Sequence, residues 1–235
     1  MPEGQVIVTG ASRGIGAAIA ADLSGRGYTV AALSRSGETS HGYGLVCDVS
    51  DEAAVVRAVA AVAKRGPVIG LVNCAGAHRA EPTASLSAAE FEATMRLNAT
   101  GVLVACREVY PHLTATGGGL IVNMGSFFDK LGVARNAAYC ASKAAVAAIT
   151  RCLAVEWASD SISVLNIAPG YIETDLNRKF LASDKIKSWL ERRVPIGRAG
   201  QPEEVARLVG VLFTERIGFL TGETIYIDGG QGMNH

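Results

Sequence analysis

The sequence predicts an α/β fold: a single-domain, doubly wound parallel sheet of about seven strands with helices on both faces. Short runs of β-branched residues alternate with alanine-rich stretches along the whole chain, as strands and helices do around a parallel sheet. The first apolar run leads through a glycine-rich turn into the first alanine-rich stretch, as at a strand-to-helix junction. With 235 residues, 49% of them hydrophobic, the chain can form one large core, so we predict one domain over residues 1–235.

Each strand is predicted from a short apolar run, most of which end at Gly, Asn, Asp or Ser. The predicted strands are 5–9, 28–33, 44–47, 68–73, 120–124, 161–167 and 224–227. Helices are predicted where alanine-rich or amphipathic stretches follow a start signal such as Asp51, Ser87 or Pro202. The predicted helices are 15–26, 51–65, 87–113, 138–159 and 202–213.

The second and third strands are joined by an unusually short connection. Only twelve residues lie between Arg35 and Asp48, and segment 36–44 contains three glycines. A crossover helix with its turns needs roughly that many residues for itself. We therefore predict a loop or a single turn here, which leaves this edge of the sheet less covered.

Composition narrows the function classes. Twenty-two basic residues balance 22 acidic ones, so the chain lacks the overall positive charge that attracts nucleic acid or an anionic membrane, and we expect neither partner. Five cysteines without a C-x-x-C pair lie among apolar neighbours, which indicates buried thiols in a reducing compartment. We find no secretory signal and no apolar run long enough to span a bilayer, so we expect a cytoplasmic protein. Four dispersed histidines predict no metal site.

The glycine-rich turn, residues 9–16, is a candidate phosphate-binding turn. Gly10, Gly14 and Gly16 lie where backbone N–H groups and a helix N-terminus can contact a pyrophosphate. Their spacing, G-x-x-x-G-x-G, differs from the commoner fingerprint G-x-G-x-x-G, and glycines also serve any tight turn between a strand and a helix. We predict a dinucleotide site of the Rossmann type, with Ser12 and Ile15 in the same turn.

Two arginines indicate which dinucleotide binds. Arg13, inside the turn, and Arg35, directly after the second strand, are expected beside the adenosine ribose. An NAD enzyme has an acidic residue at the place where this chain has Ser34. Two arginines without that acid predict a ribose 2′-phosphate and hence NADP(H); the alternative is two solvated surface arginines. Asp48 either accepts a hydrogen bond from the adenine amino group or caps the following helix.

Tyr139 and Lys143 form a candidate proton-transfer pair. Four residues apart on a predicted helix, their side chains share one face. A neighbouring cation favours the phenolate, so the tyrosine can exchange a proton nearer neutral pH than its ordinary pKa of about 10. A carbonyl reductase needs this arrangement. Thr9, Asn73 and Ser126, each at or just after the carboxyl end of a strand, should border one crevice, because ligands bind at these ends of a parallel sheet.

Taken together, these features resemble the short-chain dehydrogenase/reductase family. The resemblance covers essentially the whole chain and depends on an ordered set of motifs. They are residues 9–16, Asp48 with Val49, 73–76, Asn98, Ser126, 139–143, Pro169 with Gly170, Thr174, Thr221 with Gly222, and 228–230. One departure is Cys74, where the family motif usually has a second asparagine.

The resemblance implies a role for each site residue. Tyr139 would be the general acid in reduction and the base in oxidation, and Lys143 would lower its pKa and hold the nicotinamide ribose. Ser126 would bind the substrate oxygen, and Asn98 would bind a water that continues the proton path to solvent. The structural alternatives are that Tyr139 is a core aromatic residue and Lys143 a solvated helix charge. Ser126 would then be a turn hydroxyl and Asn98 a helix-packing amide. The other implied cofactor-binding residues are Val49, Asn73, Ala75, Gly76, Pro169, Gly170, Ile172 and Thr174.

Segment 171–199 is predicted to be a helical substrate lid, with an ordinary pair of surface helices as the alternative. Its apolar residues are Leu176, Phe180, Ile186, Trp189 and Leu190. Within the family, the chain is most similar to the 3-oxoacyl-acyl-carrier-protein reductases of fatty acid biosynthesis, which implies a 3-oxoacyl thioester of acyl-carrier protein or CoA as substrate. Segments 78–85 and 127–138 depart from that group, so the alternative is a ketone reductase acting on a sugar, a steroid or a small ketone. A non-catalytic NADP-binding module would be expected to have lost Tyr139 or Lys143.

Two kinds of partner are expected. An acidic carrier protein would be steered by a basic patch near the mouth of the site. Candidate residues for that patch are Arg96, Arg107, Arg135 and Arg151. The predicted helices 87–113 and 138–159 carry more apolar residues than one sheet-facing stripe requires, which favours a homodimer or a homotetramer.

Overall fold

The computed structural model describes residues 4–175 and 177–233, apart from the side chain of Phe180. Within these residues, seven parallel strands form one sheet in the order β3-β2-β1-β4-β5-β6-β7. The strands are β1 Gln5–Thr9, β2 Thr29–Ser34, β3 Tyr43–Val46, β4 Val68–Asn73, β5 Gly119–Met124, β6 Ile162–Pro169 and β7 Thr224–Ile227. The strand order reverses between β1 and β4, which opens a crevice at their carboxyl ends. The predicted doubly wound fold is confirmed.

Helices cover both faces of the sheet. They are α1 Gly14–Gly25, α2 Glu52–Ala63, α3 Ala88–Met95, α4 Gly101–Ala115, α5 Ala137–Trp157, α6 Arg178–Leu181, α7 Asp184–Arg193 and α8 Pro202–Glu215. One core, which includes Val59, Val109 and Val146, joins α2, α4 and α5 to the sheet. A second core, which includes Ile19 and Val209, joins α1 and α8 to the opposite face. Because both faces are covered, the central strands are almost continuously apolar.

The predicted helix 87–113 is wrong in one respect, because a wider turn interrupts it. Residues Arg96–Thr100 form a π-helical turn between α3 and α4, in which the N–H of Gly101 donates to the carbonyl of Arg96. The turn contains Asn98, whose amide hydrogen-bonds both the N–H and the carbonyl of Ala77 at 2.9 Å. These tertiary contacts hold Asn98 in place and favour the wider turn. π-helical turns inside α-helices are frequent at functional sites.

The connection between β2 and β3 contains no helix, as predicted. Gly37 and Gly42 both have positive φ values, 72° and 76°. The N–H of Gly37 donates to the Ser34 hydroxyl at 3.0 Å, which closes a tight turn directly after β2. Beyond this turn, β3 is a four-residue edge strand whose side chains are only partly covered, and Val46 is exposed.

One helix departs from the expectation that no apolar stretch reaches membrane-spanning length. The helical segment Ala137–Asp160 is long and apolar enough to cross a membrane. It packs as a core helix against β6, and its buried residues include the charged Lys143 as well as Val146 and Leu153. The buried-thiol prediction holds for Cys47 and Cys106 but not for Cys152, which is exposed.

Part of the predicted lid, segment 171–199, lies outside the residues that the structure describes. Nothing is described for Leu176, for the side chain of Phe180, or for Asn234 and His235 at the end of the chain. The rest of segment 171–199 forms α6 and α7, with a small apolar cluster beneath them. Its buried members are Leu181, Leu190, Val194 and Ala199, with Tyr171, Ile186 and Trp189 packed against them.

Candidate active site

A cavity of about 870 Å³ opens at the carboxyl ends of the central strands. Most of the predicted site residues line it. They are Gly10, Ser12, Arg13, Gly14, Ile15, Gly16, Ser34, Arg35, Asp48, Val49, Ala75, Gly76, Ser126, Tyr139, Lys143, Pro169, Gly170, Ile172 and Thr174. The structure therefore brings both ends of the predicted site, about 160 residues apart in sequence, into one crevice. Asn73 and Asn98 lie behind the cavity wall.

The glycine turn has the backbone that a phosphate site needs. Gly10 and Gly14 have φ values of 70° and 56°, in the left-handed region that favours glycine. An added Cβ at Gly16 would collide with the carbonyl oxygen of Gly10, so the turn can close only with glycine there. The first turn of α1 has no side-chain cap and no acidic residue, which leaves its N–H groups available to an anion.

At the end of the cavity beside the carboxyl end of β2, two arginines, Arg13 and Arg35, line the wall, and β2 itself ends in a serine rather than an acidic residue. Arg13 and Arg35 are exposed, and within the described residues neither forms an ion pair with a carboxylate at bonding distance. Ser34 is buried and its hydroxyl is engaged by the turn after β2. The arrangement can therefore hold an additional anionic group beside the ribose.

Asp48 does not cap α2, so one of its two predicted roles is wrong. The cap is Asp51, whose carboxylate accepts from the N–H of Ala53 at 3.0 Å. Asp48 instead accepts from the N–H and the hydroxyl of Ser50 at 2.9 and 2.7 Å. Those bonds, with a smaller contribution from Arg35, lower the pKa of Asp48, so it is an ionised acceptor at the cavity wall.

Behind the cavity, a buried polar network ties two strand ends to α5. The Asn73 amide donates to Asn123 Oδ1 at 2.9 Å, and the Asn123 amide donates to the Thr150 hydroxyl at 3.0 Å. All three residues are almost fully buried. Asn73, predicted as a cofactor-binding residue, therefore has its side chain in the sheet-to-helix packing rather than at the cavity wall.

Lys143 is a buried ammonium group with one protein acceptor in the described residues. Its Nζ donates to the carbonyl of Met124 at 2.7 Å. Burial lowers the pKa of Lys143 to about 8. An ammonium group has three donors, so two remain for a ligand that enters the cavity beside it. An added Cβ at Gly76 would lie only 3.2 Å from Asn98 Oδ1 and would contact Nζ at 3.7 Å, so glycine leaves room beside both groups.

Tyr139 faces Ser126, and its electrostatics differ from the sequence-based expectation. Burial raises the pKa of the phenol, and the hydrogen bond with Ser126 opposes that shift only partly. Lys143 Nζ lies 5.7 Å from the centre of the Tyr139 ring and is drawn toward Met124. In the free protein the phenol therefore holds its proton at neutral pH, which is the form that donates a proton to a carbonyl oxygen.

Asn98 is fully buried and its amide is used within the protein. Besides its two bonds to Ala77, its Nδ2 donates to the Ser142 hydroxyl at 3.1 Å. Ser142 lies next to Lys143 on α5, so Asn98 joins the segment after β4 to α5. A water held by Asn98 remains a prediction.

The segment 169–174, which the resemblance places beside the nicotinamide, is held by contacts with its neighbours. Gly170 packs so tightly that an added Cβ would lie 2.8 Å from the Cα of Asp228. Ile172 forms a bridge with Gly200, and the N–H of Thr174 donates to Asn177 Oδ1 at 2.7 Å. This segment is therefore held in place from both sides.

An aromatic wall that was not predicted residue by residue lines the end of the cavity next to Ser126. The cavity is lined there by His78, Phe127, Phe128 and Tyr171, none of which was predicted as a site residue. Phe127 and Phe128 lie 5.4 and 6.4 Å from Tyr171 between ring centres. Trp189 of α7 packs on Tyr171 at 5.3 Å, which links the wall to the lid cluster. The sequence analysis had pointed to the segments that carry these residues, 78–85, 127–138 and 171–199, as ones that bear on the substrate, but not to the individual side chains.

Comparison with known proteins assigns this arrangement to a family. A sequence model of the family described as "Enoyl-(Acyl carrier protein) reductase" matches residues 10–232. The chain belongs to the short-chain dehydrogenase/reductase family. It is therefore an oxidoreductase that acts on a secondary alcohol or the corresponding ketone, and nicotinamide cofactors are typical of this family. The alternative of a non-catalytic binding module is set aside.

Short-chain dehydrogenases/reductases with different named substrates are similar to this chain. D-threitol dehydrogenase of Mycolicibacterium smegmatis is 34% identical, over 95% of this chain and 91% of its own length. The 3-oxoacyl-acyl-carrier-protein reductase MabA of Mycobacterium tuberculosis is 35% identical, over 98% of this chain and 93% of its own. The structure of a gluconate 5-dehydrogenase from Burkholderia cenocepacia, in complex with NADP and tartrate, has a TM-score of 0.92 and 30% identity, over 100% of this chain and 97% of that one.

The residues present fit a nicotinamide dinucleotide. The uncapped first turn of α1 suits the pyrophosphate, and the Lys143 ammonium, with two N–H donors unused by the described protein, suits ribose hydroxyls. In the described residues no group of three or more His, Cys, Asp or Glu side chains is arranged to hold a metal ion. This short-chain dehydrogenase/reductase presents the phenol of Tyr139, the ammonium group of Lys143 and the hydroxyl of Ser126 to the cavity.

Proposed function

We propose that the protein uses NADP(H) rather than NAD(H). The proposal rests on Arg13 and Arg35 at the cavity wall and on the absence of a carboxylate at Ser34, the position after which β2 ends. Arginine binds phosphate through several N–H donors at once, so two arginines favour a ribose bearing a 2′-phosphate. A relative with NADP bound supports the proposal.

The proposed chemistry assigns one task to each catalytic residue. When bound, the reduced cofactor supplies a hydride to the carbonyl carbon. Tyr139 donates its proton to the carbonyl oxygen, and Ser126 donates a hydrogen bond to the same oxygen. Lys143 holds the nicotinamide ribose and stabilises the phenolate left after proton transfer. Asn98 holds Ala77 against α5. The family resemblance further implies that it binds a water on the path by which Tyr139 regains its proton from solvent.

We propose that the substrate ketone is a 3-oxoacyl thioester. The observation that carries this proposal is the apolar wall next to Ser126 and Tyr139, formed by Phe127, Phe128 and Tyr171. A polyol carries a hydroxyl on nearly every carbon, and each one buried against this wall would lose a hydrogen bond to water, at a cost of about 1–3 kcal/mol. An acyl chain has no such groups and gains by burial.

The second candidate is a sugar, a polyol or another small hydroxyketone. Tyr171 favours it, because its phenol brings a hydroxyl group to the otherwise apolar wall. Relatives named for D-threitol and gluconate support it as well.

An assay of purified protein separates the two candidates. We expect NADPH oxidation with acetoacetyl-CoA to exceed, by about tenfold or more in kcat/KM, the reduction of NADP⁺ with D-threitol or gluconate. Each reaction is repeated with the NAD form of the cofactor as the matched control for 2′-phosphate recognition. Turnover of a polyol with no turnover of the thioester would contradict the thioester proposal and leave the family and the catalytic residues in place.

The pH dependence of cofactor binding tests the role of Lys143. Because its pKa in the free protein is about 8, Lys143 loses its proton above that pH. Ribose hydroxyls that accept from the ammonium favour the protonated form in the complex, so NADPH affinity should fall as pH rises above about 8, by up to tenfold per pH unit. The 2′-phosphate titrates near pH 6 and does not contribute in this range. Fluorescence titration checks the effect, and Lys143→Met should bind weakly at every pH without that decline.

The proposed partners follow from the substrate. Acyl-carrier protein would approach a basic mouth, for which Arg96, Arg135 and Arg151 are exposed. Arg107 contributes less than predicted, because it is paired with Glu52 and Glu108 at 2.7 Å each. We further propose a cytoplasmic homodimer or homotetramer, since Leu103 of α4 and Val155 of α5 leave apolar side chains exposed.

A further inference from the structure

The turn before α5 contains a capping residue that does not cap. Asn136 occupies the N-cap position of α5, but its side chain makes no capping hydrogen bond. Asparagine is among the best N-cap residues, so a helix without this bond is less stable than it could be. Arg135, directly before it, has a φ of 67°, in the left-handed region that is strained for residues other than glycine. The local conformation is therefore determined by another contact.

That contact is a hydrogen bond between Asn136 and His78. Asn136 Oδ1 lies 2.5 Å from His78 Nε2. The amide nitrogen of Asn136 donates to the carbonyl of Ala134 at 2.8 Å, which fixes the orientation of the amide. The oxygen must then accept, so Nε2 of His78 carries a proton. A backbone bond from Glu81 to Arg135, at 2.8 Å, joins the same two loops a second time.

His78 in turn packs against the proposed proton donor. Its ring lies 4.8 Å from the ring of Tyr139 at an interplanar angle of 83°. Phe128 packs on the same tyrosine at 5.9 Å and 82°. His78 and Phe128 also touch each other, at 6.3 Å and 74°. Perpendicular aromatic contacts are attractive and depend on orientation, so the two rings together restrict the rotation of the phenol.

We propose that His78, held by Asn136, is a positioning residue for Tyr139. It fixes the phenol ring so that its oxygen stays beside Ser126, at the place where the carbonyl oxygen of the substrate is protonated. Proton transfer depends on the position of the donor to within a fraction of an ångström, so a ring that is free to rotate donates less often. The inference rests on the proposed role of Tyr139 and applies to either candidate substrate.

The test combines His78 variants with the Tyr139→Phe background. With NADPH and the ketone that the protein reduces fastest, His78→Ala should lower kcat about tenfold, while KM and the Kd for NADPH stay within about twofold. His78→Phe keeps a ring against Tyr139 and should recover part of the loss, whereas His78→Gln keeps only a donor for Asn136 and should not. In the Tyr139→Phe background, His78→Ala should lower the residual rate no further, since positioning acts only through the phenol. His112→Ala, on α4 and outside the cavity lining, is the matched control.

Three results would overturn the inference. The first is a raised KM with unchanged kcat, which would mean that His78 binds the substrate. The second is an equal further loss in the Tyr139→Phe background, and the third is no effect of His78→Ala. If His78→Ala fails to bind NADPH because it does not fold, His78→Gln and Asn136→Ala replace it in the same comparison. Full turnover by Tyr139→Phe would instead contradict the proposed function, so the two failures are distinguishable.

Discussion

Tyr139→Phe should lose roughly two to four orders of magnitude in kcat while NADPH binds as tightly as before. The substitution removes one oxygen atom and with it the proton that the carbonyl oxygen receives. Positioned general acids contribute about 10²- to 10⁴-fold to rate, and burial keeps this phenol protonated at neutral pH. The phenyl ring still fits between His78 and Phe128, so the packing around the site is preserved.

Steady-state turnover and fluorescence titration with NADPH measure the two quantities separately. Tyr110→Phe is the matched control, because this phenol lies on α4, donates to Asp160 at 2.9 Å and does not line the cavity. It should turn over at the wild-type rate. Retained turnover in Tyr139→Phe would sink the assignment of the proton donor.

Arg35→Asp should shift the cofactor preference from NADPH toward NADH by about 5- to 150-fold in the ratio of kcat/KM values. That range corresponds to about 1–3 kcal/mol, the scale of a charge-assisted hydrogen bond to phosphate. The new carboxylate repels a 2′-phosphate and accepts from ribose hydroxyls, so both changes act in the same direction. Arg13 remains in place and limits the shift.

The control for this charge reversal is Arg216→Asp, which changes net charge equally at an exposed position outside the cavity lining. It should leave the NADPH-to-NADH ratio unchanged. The same ratio in Arg35→Asp and the wild type would return Arg35 to the alternative of a solvated surface charge.

The fold was predictable because its signals are periodic and local. Each strand found lies within two residues of its predicted bounds, since buried parallel strands are short apolar runs between polar residues. The π-helical turn at Asn98 was not predictable in this way. Its cause is a pair of hydrogen bonds to Ala77, 21 residues earlier, and helix periodicity carries no information about such a contact.

The site residues also differ in how far local sequence signals predict them. Residues recognised by motif, such as Gly16 and Tyr139, line the cavity. The direction of the Tyr139 pKa shift was not, because the spacing to Lys143 gives a distance along the helix but not the depth at which both groups are buried. His78 lacked any motif, and its contact with Tyr139 depends on how two loops meet.

The hydrogen bond from Asn123 to Thr150 has a mechanical consequence for catalysis. Apolar contacts between a helix and a sheet are nearly non-directional, so a smooth alanine-rich helix can settle at neighbouring positions with little change in energy. A single buried donor and acceptor pair does not permit this, because a slip of one residue would leave an amide unsatisfied. Thr150 lies seven residues, about two helical turns, after Lys143 on the same face. The bond thus fixes the register of α5 on the sheet. It sets both the depth and the rotation at which the phenol of Tyr139 and the ammonium group of Lys143 reach the crevice.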